Sequence, residues 1–252
     1  GSDSAAARIG DYHTNVVMVK KNEDYLINRE ITGRTESSMA DQSLLTVKDI
    51  CEFAETVDID DVREVLDRQI SYNMAIAQEG MKHSYGANIG KVLLDIYGDS
   101  DVKIRAKAMA AAGSDARMNG CELPVVICSG SGNQGMTASV PVIIYAQELG
   151  STQEDLYRAL VVSNLSTLHI KQGIGRLSAY CGAVGAGCGA GAGIAWLHGG
   201  RYEEIAHTLV NGLAIISGTI CDGAKASCAA KIASSVDAGI LGYFMYKEGQ
   251  QF

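Results

Sequence analysis

Proline is scarce in this chain and glycine is concentrated, and these two facts constrain the fold more than any motif does. Two prolines stand against 29 glycines in 252 residues. Because proline breaks the interior of a helix, its scarcity permits long uninterrupted helices. The glycines gather at 130–135 and 182–200, and a glycine inside a helix costs up to about 1 kcal/mol relative to alanine. Such clusters indicate close packing or contact with a ligand.

Hydrophobic periodicity predicts a mainly α (α+β) fold, with a multi-helix, bundle-like body and a small N-terminal β-hairpin. We expect one domain over 1–252, with the hairpin in 10–35 and the helical body in 46–252. Small and polar residues interrupt the helices from 111 to 137. The predicted helices span 46–57, 60–81, 88–97, 101–112, 136–149, 152–171, 175–199, 202–219 and 224–246.

Composition excludes several classes of protein. The net charge is −8, the pI is about 5.1 and no lysine/arginine cluster occurs, which argues against nucleic-acid and anionic-membrane partners. The most apolar run, 180–197, is rich in glycine and shorter than the roughly 20 residues of a membrane span. The N-terminus is polar and unlike a signal peptide. We therefore expect a cytoplasmic protein with reduced thiols.

Six of the seven cysteines form three pairs, each spaced seven positions apart: Cys121/Cys128, Cys181/Cys188 and Cys221/Cys228. On a helix, a step of seven returns to nearly the same face, so each pair could aim two thiols at one point. Three of them, Cys181, Cys221 and Cys228, have small or polar neighbours that could admit an iron–sulfur cluster, whose ligands tolerate dispersed spacing. A structural zinc site is a weaker alternative, because the C-x-x-C pairs typical of such sites are absent. Free cysteine is also a common packing residue, and we expect this role for at least half of them.

A second polar segment, Ser129–Gly135, lies just before an apolar helix. A glycine-rich turn at a helix N-terminus exposes backbone N–H groups that suit a phosphate or carboxylate; a simple tight turn is the alternative. The segment matches no nucleotide-binding fingerprint. Upstream, Arg117 could grip a carboxylate in a bidentate fork or form a surface ion pair. The five histidines show no metal-ligand spacing, and His207 is of interest because its helix leads into Cys221.

Three motifs in order, Ala111–Gly120, Ser129–Gly135 and Ile220–Cys228, resemble the L-cysteine desulfidase branch of the serine dehydratase α-chain superfamily. The segment Tyr85–Lys91 and the hairpin resemble it too, so the resemblance covers most of the chain. It implies an oxygen-sensitive lyase that uses a [4Fe-4S] cluster instead of pyridoxal phosphate. Such enzymes eliminate the β-substituent of an amino acid, giving pyruvate, ammonia and either sulfide or water. Family proteins are longer at both ends, so we expect this chain to be a fragment.

The resemblance also assigns residues. The cluster ligands would be Cys181, Cys221 and Cys228, with the fourth iron left for the substrate or for a cysteine outside this chain. The other three paired cysteines would be packing residues. The glycine-rich turn would hold the substrate carboxylate, and the expected substrate-binding residues are Arg117, Asn119, Ser129, Ser131, Asn133 and Gln134.

Our candidates for the general base are His207 and Lys225. L-Serine dehydratase activity, which differs only in the leaving group, remains an alternative to L-cysteine desulfidation. A non-catalytic structural or binding subunit is the alternative from a different class. The many small residues on the helices are also compatible with a homodimer.

Overall fold

The structure, a computed structural model, describes residues 1–10, 14–30, 44–175 and 178–252. Its architecture confirms the mainly α fold with a small N-terminal β element. The helices are α1 (Val47–Thr56), α2 (Ile59–Lys82), α3 (Ile89–Tyr97), α4 (Val102–Met118), α5 (Gly132–Leu149), α6 (Gln153–Ile174), α7 (Gly182–Leu197), α8 (Tyr202–Ile216) and α9 (Ser227–Lys247). None of these helices is long and apolar enough to cross a membrane.

The N-terminal β element is a three-stranded antiparallel sheet, with β1 (Ala5–Ile9), β2 (Val16–Lys21) and β3 (Asp24–Asn28) in that order. The predicted hairpin corresponds to β2 and β3, which are joined by the two-residue turn 22–23. Strand β1 was not predicted, because its run of three alanines lacks the β-branched residues that favour strands. Parts of the predicted hairpin range, 11–13 and 31–35, lie outside the described residues.

Helices α4 to α9 run alternately up and down, which brings the N-termini of α5, α7 and α9 to one end of the bundle. The contacts that make these three parallel are Gly187–Ser235 and Gly191–Gly239 between α7 and α9, and Gln134–Gly182 and Val142–Gly193 between α5 and α7. The contacts that orient the others against them are Gly189–Thr167 and Gly185–Ile170 for α6, Lys107–Asp237 and Ala111–Ala233 for α4, and Gly212–Gly239 and Gly242–Thr208 for α8.

Close packing accounts for much of the glycine run at 182–200. A Cβ added at Gly191 would lie 2.4 Å from the carbonyl oxygen of Gly239, and one added at Gly187 would lie 2.4 Å from the carbonyl carbon of Ser235. Because real Cβ atoms do not approach backbone so closely, only glycine lets α7 and α9 touch at these positions. The composition thus supports a tightly packed helix pair.

Three helix boundaries differ from the predictions by four residues or more. Helix α4 continues to Met118 rather than ending at 112, because Gly113 and the two residues after it are buried, with Gly113 packed against Met136 and Ala77. Helix α5 begins at Gly132 instead of 136, and α7 at Gly182 instead of 175. In α4 and α5, which are longer than predicted, tertiary burial outweighs the weak helix propensity of glycine, serine and aspartate.

The two ends of the bundle differ in their connections. At one end, α5–α6 and α7–α8 are joined by the short turns 150–152 and 198–201. At the other, the connections are the longer segments 119–131, 175–181 and 217–226. These three segments carry Cys121, Cys128, Cys181 and Cys221, and Cys228 follows in the first turn of α9. We call these connections and the helix termini that they join the cysteine end.

Candidate functional site

The glycine-rich turn forms the N-terminus of α5 at the cysteine end. Cys128 and Ser131 exchange both backbone hydrogen bonds, at 3.2 and 3.1 Å, around Ser129 and Gly130. Both central residues have positive φ, +52° and +80°, as a type I′ turn requires. The Ser131 side chain makes no capping hydrogen bond. The first amides of α5 therefore stay available, together with the positive end of the helix dipole, for an anion.

Arg117 lies beside this helix start. Its Nη1 donates a hydrogen bond of 3.3 Å to Asn133 Oδ1. A Cβ at Gly132 would lie 2.4 Å from Arg117 Nε, so the guanidinium group rests against the first turn of α5. A cation and a helix N-terminus thus face the same space. Both favour a bound carboxylate.

Asn119, expected to bind the substrate, makes structural contacts at the end of α4. It ends α4, and its Nδ2 donates to the backbone oxygen of Asp115 at 2.7 Å. The same amide lies against Gly86, where an added Cβ would be 2.3 Å from Nδ2. Asn119 therefore closes the end of α4 and packs on the turn before α3. The structure therefore shows a structural role for Asn119, and its role in substrate binding stays a prediction.

Gln134 joins the start of α5 to the start of α7. Its side chain is 7% exposed, and its amide packs on Gly182, where a Cβ would lie 2.4 Å from Nε2. Gly182 directly follows Cys181. The candidate carboxylate site and the first candidate cluster ligand are therefore neighbours in space.

Two of the cysteines are brought together by a contact between distant segments. The N–H of Cys181 donates to Thr219 O at 3.1 Å, and that of Cys221 donates to Ala179 O at 2.7 Å. These bonds flank an isolated antiparallel bridge between Tyr180 and Ile220. Residues 40 positions apart in sequence are thereby placed side by side.

The third cysteine lies in the same neighbourhood. Burial raises the pKa of the Cys181 thiol; the amide of Ala183 opposes this, and the thiols of Cys221 and Cys228 raise the pKa further. Cys181 and Cys228 are buried, whereas Cys221 is exposed. The Cys228 thiol donates to Gly223 O at 3.7 Å. All three candidate ligands thus surround one region of the cysteine end.

The thiols do not yet form a closed ligand set. Across 1–10, 14–30, 44–175 and 178–252, no group of three or more His, Cys, Asp or Glu side chains is arranged to hold a metal ion. The donor type nevertheless fits an iron–sulfur cluster, which is held by thiolates. The N-termini of α7 and α9 at Cys181 and Cys228 would also stabilise negative charge on these sulfurs. We conclude that the three thiols fit an iron–sulfur cluster in donor type and lie in one region, but that their described positions do not form a ligand set.

The helical explanation of the seven-residue spacing was wrong. No pair occupies two turns of one helix: Cys121 and Cys128 lie in the connection before α5, Cys181 precedes α7, and Cys221 precedes α9. Cys128 and Cys188 are buried, and burial raises the pKa of each thiol to about 12.

Of the two candidate bases, only Lys225 lies at the cysteine end. His207 stacks on Tyr246 with ring centroids 4.8 Å apart, and Tyr246 is in the last turn of α9, at the opposite end of the bundle. From His207 to the end of α8 is about 14 Å at 1.5 Å per residue. Its position is therefore remote from the cysteines, and we withdraw it. Lys225 lies at the cysteine end, where it pairs with Asp222 at 2.9 Å and is half exposed.

Two lysines at the cysteine end were missed from the sequence. Lys171, in the last turn of α6, is close enough to Cys181 and Cys221 to interact with both thiols; burial lowers its pKa, and these thiols act in the opposite direction. Lys231 donates to Ile220 O at 3.1 Å and also binds Asp222. The hydrogen bonds from Lys231 and Lys225 hold the pKa of Asp222 well below its usual range. The only sequence signal was position, since each lysine lies on a helix within a few residues of a cysteine connection.

Comparison with known proteins gives the family. The profile described as serine dehydratase alpha chain matches residues 14–252. The chain belongs to the serine dehydratase alpha chain family. Relatives include UPF0597 proteins of Desulfitobacterium hafniense, 67% identical over 97% of this chain, and of Treponema denticola, 45% identical over 99%. A third, from Lachnoclostridium phytofermentans, is 54% identical over the whole chain.

This family membership confirms the superfamily that the motifs predicted. The chain spans 57%, 59% and 60% of the lengths of these three curated relatives. The activity of the whole protein is therefore a matter of proposal. No solved structure matches the chain.

Proposed function

We propose that this chain is part of an iron–sulfur-dependent lyase that eliminates the β-substituent of L-cysteine, giving pyruvate, ammonia and sulfide. The observation that carries the proposal is the contact between Gln134 and Gly182, because it brings the start of α5, where we propose that an anion binds, close to Cys181. A substrate whose carboxylate is held at the start of α5 would have its β-carbon near Cys181. Membership of the serine dehydratase alpha chain family supports the same class of reaction.

The chain's own residues would bind and orient the substrate. The first amides of α5 and the Arg117 guanidinium would hold the carboxylate, and Asn133 would position Arg117 through their hydrogen bond. Lys171 would supply positive charge beside the thiols. Lys225 and Lys231 both bind Asp222, and through this residue they would stabilise the connection that contains Cys221.

Cys181, Cys221 and Cys228 would hold a [4Fe-4S] cluster, whose open iron supplies a Lewis acid for the departing sulfur when it is bound. Removal of the α-proton and loss of the thiol leave 2-aminoacrylate. Its hydrolysis to pyruvate and ammonia proceeds in water without help from the protein. Of the bases proposed from the sequence, Lys225 remains at this end of the bundle.

L-Serine dehydratase activity is the second candidate, favoured by the description of the family. The two activities share every binding residue above and differ in the leaving group. The test is anaerobic turnover of L-cysteine and L-serine, with pyruvate and sulfide both measured. We expect equal amounts of sulfide and pyruvate from L-cysteine, formed faster than pyruvate from L-serine. A faster reaction with L-serine would support the second candidate, and no pyruvate from either would favour a non-catalytic subunit.

One substitution pair tests the binding site in the same assay. Arg117→Gln removes the guanidinium at the cysteine end, whereas Arg105→Gln removes one at the other end of α4, where it pairs with Glu148. Losing a hydrogen bond to a charged ligand costs about 1.5–3 kcal/mol. We therefore expect Arg117→Gln to raise KM about tenfold or more and Arg105→Gln to leave it unchanged. Equal KM values in the two variants would remove Arg117 from the site.

A further inference from the structure

The amide oxygen of Gln134 is a buried acceptor without a donor. Within the described parts of the chain, Oε1 has no hydrogen-bond partner and is closed to solvent. Because unpaired buried acceptors are costly, native proteins keep few of them, and each calls for an explanation. Here the unpaired atom belongs to the first turn of α5, beside the proposed carboxylate site.

The surroundings of Gln134 keep its amide at this place. The group rests on Gly182, where a Cβ would lie 2.7 Å from Cδ and 3.0 Å from Oε1. A side chain at 182 would therefore occupy the space of the amide. The glycine allows Gln134 to reach the start of α7, next to Cys181, instead of ending at the start of its own helix.

The two halves of this site have opposite hydrogen-bonding character. The amides of α5 and the Arg117 guanidinium are donors and suit a carboxylate. An amide oxygen only accepts, so Gln134 Oε1 cannot pair with that carboxylate. A ligand complementary to both halves carries an anionic acceptor and a cationic donor a few ångströms apart. An α-amino acid zwitterion has this arrangement.

We propose that Gln134 Oε1 accepts a hydrogen bond from the α-ammonium group of the substrate and so selects amino acids over analogues that lack the amino group. The inference rests on the proposed function, since it assigns one more contact to the same substrate. Gln134 then serves as a specificity-determining residue, with its amide against Gly182, the residue that follows Cys181.

The test compares two ligands that differ only in the amino group. L-Serine and 3-hydroxypropanoate share the carboxylate and the β-hydroxyl. Their affinities are measured by titration calorimetry on anaerobically purified protein, so the readout does not depend on turnover. We expect the unaltered chain to prefer L-serine by about tenfold or more, as a hydrogen bond to a charged group implies.

Two variants assign that preference to Gln134. Gln134→Met keeps an unbranched side chain of similar length and removes the acceptor, so the preference for L-serine should disappear while 3-hydroxypropanoate binds as before. Gln134→Glu keeps the acceptor and adds a negative charge, so the preference should increase even though both ligands bind more weakly. The second variant keeps the proposal testable if Gln134→Met does not fold.

Each failure has its own signature. If the unaltered chain binds L-serine but either variant weakens both ligands equally, the assignment of Gln134 is overturned while the proposed function stands. If the unaltered chain shows no preference for the amino group, the inference is also overturned. If it binds neither ligand, the inference and the proposed function both fail.

Discussion

The two ends of the α4–α9 bundle are built from the same helices and differ in what joins them. One end has short turns, 150–152 and 198–201, within the range of ordinary helix–helix connections. The cysteine end has three longer connections, of which 119–131 and 217–226 exceed that range. In the first turn of α5, at this end, Asn133 and Gln134 are buried polar residues, and Gln134 Oε1 has no hydrogen-bond partner. The buried hydroxyl of Tyr145, near the first end, is also unpaired, so the difference lies in the longer connections and in the two buried amides at the start of α5.

Helix α7 repeats this contrast within one element. Its middle, at Gly187 and Gly191, meets backbone of α9, which cannot move without separating the helices. Its start, at Gly182, meets only the end of the flexible Gln134 side chain. The same substitution should therefore damage stability in the middle of α7 and ligand binding at its start.

The largest expected effect on stability is that of Gly191→Ala. The new Cβ would lie 2.4 Å from Gly239 O, so α7 and α9 must separate. Overpacking of this kind typically costs 1–3 kcal/mol and sometimes more, and we expect about 3 kcal/mol in the free energy of unfolding, measured in urea. A loss below about 1 kcal/mol would show that the helix pair is less tightly packed than the structure indicates.

Gly182→Ala should have a smaller effect on stability and a larger one on binding. The new methyl group displaces the Gln134 amide, which can rotate away at a cost of about 1 kcal/mol. We expect L-serine affinity to fall while the urea midpoint changes little. If Gly182→Ala and Gly191→Ala lost equal stability, the proposed contrast between the two parts of α7 would be wrong.

Asp115 gives a pH-dependent prediction at the cysteine end. Its carboxylate accepts a 3.3 Å hydrogen bond from Gly90 N, and burial raises its pKa. A carboxyl whose folded-state pKa is raised favours unfolding when ionised, and this penalty is relieved as pH falls through the raised value. Asp115→Asn should therefore stabilise the protein at pH 7, by up to about 1 kcal/mol.

The advantage of the Asp115→Asn variant should then shrink on acidification. Urea unfolding of both proteins between pH 7 and pH 4 measures this difference in the free energy of unfolding directly. All other titrating groups are the same in the two proteins, so their contributions cancel in the difference. A difference that grew as the pH fell would contradict the raised pKa.

The smallest effect is expected at Gly173, in the last turn of α6. A Cβ there would meet nothing within 4 Å. Alanine should stabilise this helix by about 0.5 kcal/mol, since it loses less backbone entropy than glycine. The variant is also a control for Gly191→Ala, because the same substitution in another helix should shift the urea midpoint in the opposite direction.

Local signals predicted the parts of the fold that local interactions determine. The first predicted helix begins at Thr46, whose side chain caps α1 by accepting a hydrogen bond from the Asp49 amide at 3.1 Å. The predicted hairpin range contains β2, β3 and the two-residue connection 22–23 between them. Helix α4 was predicted too short because the burial of Gly113 depends on Met136 and Ala77, which lie on other helices.

The arrangement of the site depends on contacts that no local pattern encodes. Cys181 and Cys221 meet through the bridge between Tyr180 and Ile220, and not through a seven-residue step on one helix. His207 seemed suitable because it precedes Cys221 in sequence, but the length of α8 separates the two. Lys171 had no motif to identify it, since its proximity to the thiols follows from the packing of α6 on α7.

The most direct test of the account is the iron and acid-labile sulfide content of three proteins purified without oxygen: the unaltered chain, Cys181→Ala and Cys188→Ala. The two cysteines are seven residues apart, one at the cysteine end and one packed inside α7. A cubane cluster predicts about four iron and four sulfide per chain in the unaltered protein and in Cys188→Ala, with loss of both in Cys181→Ala. Negligible iron in the unaltered chain, or equal iron in all three proteins, would contradict the assignment of the cysteine end as a cluster site.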